Sequence, residues 1–358
     1  MTNQILNLVA FVAVFGILIF VHEMGHFITA KRAGVMVHEF GFGFPPRLFA
    51  VRRGETEYSL NLIPLGGFVK MEGEEDPSKP RSLASKGIWT RLLILSAGGL
   101  MNALLAFALF IVSFMVPHTA LLGQVQVLEV APGSPAEMAG IQPGNVILRI
   151  NDRLIQGAAD LSYNIQLNLG KETTIYVRDS ATSAAQRVIH VTPRWNPPEG
   201  QGATGIKIGM ANAYPTEQAY SIWDAVPMGL RKGADIITLA KNDLSGLFSQ
   251  RSSAPAVTGP IGIYQITGQV TRLGLGAVID FAAILSINLA FINLLPFPML
   301  DGGRMAFVAL EGIRRGKRVP AEKENLVHLA GMVVLVGLIL LVSYYDIQRI
   351  LTGGGGLP

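Results

Sequence analysis

The chain has 358 residues, of which 50% are hydrophobic and 15% are charged, and its formal net charge is +4. About a quarter of the residues of an ordinary soluble protein are charged, so this composition and a mean hydropathy of +0.40 indicate a membrane protein. The positive charges form no stripe interleaved with aromatic residues, which argues against nucleic acid as a partner. There is no cysteine, so disulfides, thiolate zinc sites and thiol nucleophiles are excluded.

Four apolar segments are long enough to cross a bilayer. Each has about 20 residues or more, and a helix rising about 1.5 Å per residue then spans a hydrocarbon core about 30 Å thick. They run from Ile5 to about Ala30, from Leu92 to Val116, from about Leu275 to Leu295 and from Leu326 to Tyr345. The first lacks the basic start and small-residue cleavage site of a signal peptide, so we expect it to be retained. The sequence therefore predicts a polytopic α-helical membrane protein with four transmembrane helices.

The distribution of positive charge predicts the orientation of these spans. The loop between the first and second spans holds ten lysines and arginines, and the loop between the third and fourth holds six. No lysine or arginine precedes Lys31, and only Arg349 follows the last span. Because short basic loops stay in the cytoplasm, both termini and the long segment between the second and third spans are predicted to be extracytoplasmic.

That long segment, from Leu121 to about Ala213, predicts a small β-rich domain. Four stretches are rich in β-forming residues: GQVQVLEV, NVILRIN, TTIYVRD and RVIHVTP. A short helix begins near Pro135, and a second helix ends at Gly170. This order of elements is that of a PDZ domain, and AxPGSPAxxAGIxPGxxILxIN resembles the PDZ domains of bacterial proteases. The alternative is a small β module of unspecified topology.

These features divide the chain into four parts. Residues 1–120 hold two spans and a cytoplasmic loop, and residues 121–213 form the extracytoplasmic PDZ domain. Residues 214–274 are a linker with a helix that lies against the membrane or the PDZ domain. Residues 275–358 hold the last two spans.

The end of the first span carries the clearest chemical pattern. The stretch FVHEMGHF places His22, Glu23 and His26 in an HExxH arrangement. Residues i and i+4 share a helix face, so both imidazoles can bind one zinc ion (Zn2+), and Glu23 beside them can act as a general base. Polar groups inside a span are costly and usually functional. The alternative is a structural polar cluster near the membrane interface.

A catalytic zinc ion needs a third protein ligand. Arg32 occupies the position at which a metzincin has its third histidine, and His38 lies beyond the helix. Three glutamates offer a thermolysin-like alternative: Glu39, Glu55 and Glu57.

Asp301 is the favoured third ligand. It follows a span interrupted by Pro296 and Pro298, and irregular backbone at membrane depth is tolerated only in a protein-lined cavity. On the predicted topology, Asp301 and the two histidines lie toward the cytoplasmic ends of their spans. The three side chains can therefore meet at one depth.

Together these motifs resemble the site-2 protease family of intramembrane zinc metalloproteases, and most closely its bacterial RseP-type members. The matching elements are HExxH in the first span, NLLPxPxLDGG in a later span and a single PDZ domain between them. The resemblance implies His22, His26 and Asp301 as zinc ligands and Glu23 as the catalytic base. The resemblance also implies that Asn293 holds the substrate backbone. Asn288 is similarly placed and is a second candidate for substrate binding. For Asn288, hydrogen bonding between spans is an equal alternative.

Two further segments match elements of that family. EYSLNLIPLGGFVKM is similar to its membrane-associated β-hairpin, with a turn predicted at Pro64 and Gly66-Gly67 and an edge strand that suits an extended substrate. SAGGLMNALLAF in the second span includes Gly98, Gly99 and Asn102. We interpret the glycines there as allowing close helix packing.

The resemblance implies an enzyme of the bacterial cytoplasmic membrane that cleaves single-span proteins within the bilayer. Expected substrates are anti-sigma factors already trimmed by a site-1-type protease, or signal-peptide remnants. One alternative is a non-catalytic PDZ membrane scaffold, which stoichiometric zinc would argue against. Another is a metal transporter, which should carry polar residues through the depth of several spans. The remaining isolated histidines, His118, His190 and His328, are predicted to be structural or solvated.

Overall fold

The computed structural model describes residues 2–74, 76–180, 185–249 and 258–352. The chain forms two compact units. The first comprises residues 1–113, 225–233 and 257–358, and the second comprises residues 114–224 and 234–256.

Helices and strands are numbered in chain order. The helices are α1 (Thr2–Arg32), α2 (Ile88–Met115), α3 (Pro135–Met138), α4 (Ala158–Leu167), α5 (Ile222–Ser249), α6 (Pro260–Arg272), α7 (Leu275–Leu294), α8 (Asp301–Ile313) and α9 (Ala321–Leu351). The strands are β1 (Val37–Arg53), β2 (Thr56–Met71), β3 (His118–Val130), β4 (Val146–Ile150), β5 (Arg153–Leu154), β6 (Thr173–Arg178), β7 (Gln186–Val191) and β8 (Ile206–Gln218).

Four helices, α1, α2, α7 and α9, are long and apolar enough to cross a membrane. They coincide with the four apolar segments of the sequence, so the prediction of a multi-pass α-helical membrane protein is confirmed at this level. A helix satisfies its own backbone hydrogen bonds, which lipid cannot do. Helix α8, which follows the third of these helices, was not predicted as a separate element.

In the first unit, β1 and β2 form a bent antiparallel hairpin. Its turn lies at Gly54 and Glu55, so the turn predicted at Pro64 and Gly66-Gly67 is wrong. Those residues lie inside β2, at the point where the strand changes its pairing. Residues 39–42 of β1 lie beside both residues 57–60 and residues 67–70 of β2. The positive φ of Gly66, 132°, allows the change of direction that the sequence signal indicated.

In the second unit, six strands form one antiparallel sheet in the order β7-β6-β4-β3-β8, and β5 pairs with β4. The buried core contains alternating residues of the strands, such as Val125, Val127, Ile175 and Val177, packed with residues of α4. Strand β8 was not predicted, because Gly209 and Pro215 weaken its local strand signal. Its pairing with β3 from His118–Gln218 to Val130–Ile206 overrides that weakness.

A buried ion pair ties α8 to α2. Arg91 Nη2 donates to Glu311 Oε2 at 2.6 Å, and the two side chains are only 8% and 11% exposed. Arg318 donates to Glu311 Oε1 at 3.3 Å and to the carbonyl oxygen of Ala84 at 2.6 Å. Because Asp301 is the first residue of α8, these contacts fix the helix that carries the predicted third ligand.

Replacing Glu311 with leucine should destabilise the membrane unit. It leaves the Arg91 guanidinium buried without a counter-charge, a loss of about 3–5 kcal/mol. Thermal unfolding in detergent micelles should therefore shift clearly to lower temperature. Lys79→Ala is the control, because Lys79 is exposed in its ion pair with Glu72 and such pairs contribute about 1 kcal/mol or less. Equal, small shifts in the two variants would contradict a stabilising role for the buried pair.

Candidate metal centre

Two histidines of the last third of α1 and one aspartate at the start of α8 meet in one cluster. His22 and His26 are buried one helical turn apart, and both Nε2 atoms face the carboxylate of Asp301. The distances from Asp301 Oδ2 are 3.1 Å to His22 Nε2 and 3.2 Å to His26 Nε2. The two Nε2 atoms are 3.2 Å apart. The structure thus brings together three ligand atoms from segments separated by 275 residues.

The contact at His26 Nδ1 leaves Nε2 available as a metal ligand. His26 Nδ1 lies 2.8 Å from the carbonyl oxygen of Ile94, so Nδ1 carries the proton and donates it to that oxygen. Its Nε2 lone pair then faces a carboxylate oxygen and a second imidazole nitrogen. Such a group of acceptors is unfavourable in a buried site unless a metal ion or a proton lies between them, and a metal ion can satisfy all three at once.

The spacing of the three atoms fits zinc. Zinc binds histidine nitrogen and carboxylate oxygen at about 2.0–2.2 Å in tetrahedral geometry, which separates neighbouring ligand atoms by about 3.3 Å. The observed separations are 3.1 and 3.2 Å. Three protein ligands would leave one position open, as in catalytic zinc sites.

Helix α2 forms the back of this centre through a glycine. A Cβ atom on Gly98 would lie 2.3 Å from His26 Nε2 and 2.6 Å from His22 Nε2. One on Gly25 of α1 would lie 2.4 Å from the carbonyl oxygen of Ala97. The sequence predicts close helix packing at Gly98 and Gly99. A Cβ on Gly99 would lie 3.3 Å from the carbonyl oxygen of Ala290 in α7, and the structure adds that Gly98 keeps open the space beside the ligand atoms.

The loop before Asp301 depends on close backbone contacts. A Cβ on Gly302 would lie 2.1 Å from the carbonyl oxygen of Leu295, and one on Gly303 would lie 2.3 Å from that of Phe297. These positions therefore require glycine, and they allow α8 to fold back onto the end of α7. The interruption expected from Pro296 and Pro298 is present, since α7 ends at Leu294.

His328 of α9 also contacts this loop, although the sequence gave no signal for it. Met299 has a left-handed φ of 81°, and its backbone N–H donates to His328 Nδ1 at 2.9 Å. Gly331, one helical turn later, packs directly against Pro298. The fourth span therefore braces the segment that presents Asp301.

Glu23 lies beside the metal cluster and is not part of it. It is half-buried, and β2 passes over it, since a Cβ on Gly67 would lie 2.9 Å from Glu23 Cγ. Asn288 and Asn293 lie on α7 and are half-buried. Within the described ranges, neither side-chain amide has a hydrogen-bond partner.

The alternative glutamate ligands have other partners. Glu55 pairs with Lys31 at 2.5 Å and with Arg81 at 2.7 Å. These two cations lower the pKa of Glu55 to about 2. Glu39 and Glu57 both accept from Arg47 at 2.7 Å.

The remaining histidines lie outside the cluster. His38 pairs with Glu72 at 2.7 Å. His118 contacts the backbone of Val116 at 3.1 Å. Asp301 is therefore the carboxylate that joins the two histidines in the part of the chain described.

Comparison with known proteins identifies the family of this chain. A family model described as Peptidase family M50 matches residues 10–338. The chain belongs to this family. Family M50 is the site-2 protease family, so the resemblance stated from the sequence is confirmed. Membership favours a peptidase over the scaffold and the transporter.

Relatives match along almost their full length. Zinc metalloprotease RasP of Oceanobacillus iheyensis is 30% identical over 431 residues, covering 96% of this chain and 99% of the relative. Regulator of sigma-W protease RasP of Bacillus subtilis is 30% identical over 433 residues, with the same coverage. A Clostridium perfringens protein also named as a zinc metalloprotease is 35% identical over 338 residues, covering 93% of this chain and 96% of the relative.

Gly98→Ala should abolish metal binding by the family M50 site. The added methyl group would occupy the space beside both Nε2 atoms, so zinc content of the purified protein should fall from about one per chain to near zero. Gly337→Ala is the control, because Gly337 of α9 has open space around it. Full zinc content in Gly98→Ala, measured by elemental analysis, would contradict the assignment of this space to the metal.

Proposed function

We propose that this chain is an intramembrane zinc metalloprotease that hydrolyses peptide bonds in the transmembrane segments of other proteins. The observation that carries this proposal is the triangle of ligand atoms, 3.1–3.2 Å on each side, whose two histidines lie in the last third of a helix long and apolar enough to cross a membrane. Membership of family M50 supports the peptidase chemistry.

In this proposal, His22, His26 and Asp301 hold the zinc ion. When bound, zinc supplies Lewis-acid chemistry, which polarises a carbonyl group and lowers the pKa of water. Glu23 takes a proton from the attacking water and passes it to the leaving nitrogen. Its place next to the ligands on α1, with β2 above it, supports this role.

Substrate binding is proposed for α7 and for the hairpin. Asn293, with Asn288 as a second candidate, offers an amide that has no partner among the described residues and can hold an extended backbone. Residues 67–70 of β2 pair with residues 39–42 on one side, and their other side has no strand partner within the described chain. A substrate helix hides its peptide bonds, so pairing with this edge would hold the unwound segment next to Glu23.

The proposed orientation follows the charge distribution. Both termini lie outside the bacterial cytoplasmic membrane, and the metal centre lies toward its cytoplasmic side. Water for hydrolysis then enters from the cytoplasm.

The second unit is proposed to be a single extracytoplasmic PDZ domain. Its antiparallel sheet with two short helices supports this assignment. Since β8 ends at Gln218, the domain would continue past residue 213, where the sequence suggested its end. It would exclude bulky uncut ectodomains or bind a newly exposed C-terminus.

The proposed substrates are single-span regulators such as anti-sigma factors. The Bacillus subtilis relative is named as a regulator of sigma-W, and transfer of that substrate class to this chain is part of the proposal. An upstream site-1-type protease would trim the ectodomain first. Signal-peptide remnants are the second substrate class.

Two variants separate catalysis from metal binding. Glu23→Gln should retain zinc and lose about 100- to 10,000-fold of its cleavage rate, because a general base contributes about that factor. Asp301→Ala should lose both zinc and cleavage. Cleavage of a single-span peptide by purified protein in detergent, together with zinc analysis, measures both effects.

Glu322→Gln, an exposed acid in the first turn of α9, is the control and should cleave like the wild type. Full activity in Glu23→Gln would refute the base assignment. Absence of zinc from the wild type would refute the metal centre itself.

A further inference from the structure

The two histidines of the metal centre are held differently at their Nδ1 atoms. His26 Nδ1 donates to the backbone carbonyl of Ile94 at 2.8 Å. His22 Nδ1 faces the side-chain amide of Asn102, whose Nδ2 lies 3.4 Å away. Both contacts come from α2, on the side of the imidazoles opposite Asp301.

Asn102 is buried completely in the second span, with 0% of its surface exposed. Among the described residues, the hydrogen-bond partner of its side chain is His22, and its Oδ1 has none. A buried amide in a membrane span is unfavourable unless it has a partner or a function. The interaction that explains an asparagine here is therefore the one with the imidazole.

The backbone around Asn102 is fixed independently of its side chain. Ser286 of α7 donates its hydroxyl to the carbonyl oxygen of Asn102 at 2.7 Å. Asn102 lies one turn after Gly98, so both occupy the same face of α2. Gly98 leaves space beside the Nε2 atoms, and Asn102 reaches the opposite nitrogen of His22.

The chemistry of a metal-binding histidine selects one orientation of this amide. When Nε2 of His22 supplies its lone pair to a metal ion, Nδ1 carries the proton and needs an acceptor. A half-turn about the Asn102 Cβ–Cγ bond replaces Nδ2 with the unpartnered Oδ1. Oxygen and nitrogen of an amide are nearly equal in size, so this rotation requires no other movement.

We propose that Asn102 is a positioning residue for the metal centre, whose Oδ1 accepts the Nδ1 proton of His22 and so directs Nε2 to the metal ion. This inference rests on the proposed zinc site. Outer partners of ligating histidines typically change metal affinity by about 10- to 100-fold. Asn102 thus does for His22 what the Ile94 carbonyl does for His26.

The test compares variants of the full-length protein in detergent micelles. Asn102→Leu keeps the size of the side chain and removes the acceptor, whereas Asn102→Asp keeps an acceptor. Ser113→Ala is the matched control, because Ser113 is another buried polar residue of α2. Its hydroxyl lies 2.9 Å from the carbonyl oxygen of Phe110 and 3.3 Å from Asp280 Oδ1, so it bonds without contacting the metal centre. Zinc affinity is measured by competition with a chromogenic chelator, and folding by thermal unfolding of the metal-free protein.

Asn102→Leu should bind zinc about 10- to 100-fold more weakly, with an unfolding temperature of the metal-free protein like that of Ser113→Ala. Asn102→Asp should restore the affinity to within a few-fold of the wild type. Wild-type affinity in Asn102→Leu would overturn the proposal, as would equal losses in the leucine and aspartate variants.

Two further measurements keep the result unambiguous. If Asn102→Leu fails to fold, the test uses the visible absorption spectrum of the cobalt-loaded Asn102→Asp protein. A carboxylate that accepts from His22 Nδ1 should shift the cobalt absorption bands relative to the wild type. An unchanged spectrum would overturn the proposal. His22→Ala tests the site itself. If His22→Ala binds zinc as tightly as the wild type, the proposed metal centre is wrong. If His22→Ala loses zinc affinity but Asn102→Leu does not, only the positioning role of Asn102 is wrong.

Discussion

Three electron-pair donors held 3.1–3.2 Å apart in a buried site form the constraint on which the membrane unit depends. When both Nε2 atoms are unprotonated, the two imidazole nitrogens and the carboxylate oxygen repel one another in this arrangement, and the repulsion is strong at low dielectric. A cation turns that repulsion into attraction. The surrounding helices can therefore be understood as a frame that keeps these donors together.

The frame divides its tasks among helices from distant parts of the chain. Helix α1 supplies both imidazoles and the adjacent glutamate, and α2 contacts the imidazoles from behind. Helix α8 presents the carboxylate and is tied to α2 by the buried pair of Arg91 and Glu311. Helix α9 contacts the preceding loop through His328. Each contact is local and small, but together they fix the position of one oxygen atom relative to two nitrogens.

The hairpin connects this frame to the chemistry of proteolysis. Hydrolysis inside a membrane requires water, a polar site and an extended peptide, and lipid provides none of them. In the proposed function, the polar residues in the last third of α1 form the site with Asp301, and the β2 edge receives the unwound peptide. Gly67 lies directly against Glu23, so in the proposed function strand pairing and proton transfer occur within one small region.

Local patterns in the sequence were sufficient for the four spans, the HExxH face and the family. Span length, helical spacing and the residues of a motif are properties of neighbouring residues, so they can be recognised in the sequence without a three-dimensional structure. The strand signals of the β-rich unit were also local, and most of its strands follow them. The turn at Gly54 and strand β8 were missed, because their formation depends on pairing with distant segments.

Tertiary structure alone decided which acidic residue joins the histidines and what surrounds them. The sequence favoured Asp301 but left Glu39, Glu55 and Glu57 open, and their ion pairs became visible only in the folded chain. The contacts of Gly98, Asn102 and His328 with the centre or its loop were likewise hidden. Each depends on the relative position and rotation of two helices far apart in sequence, and no local pattern specifies those quantities.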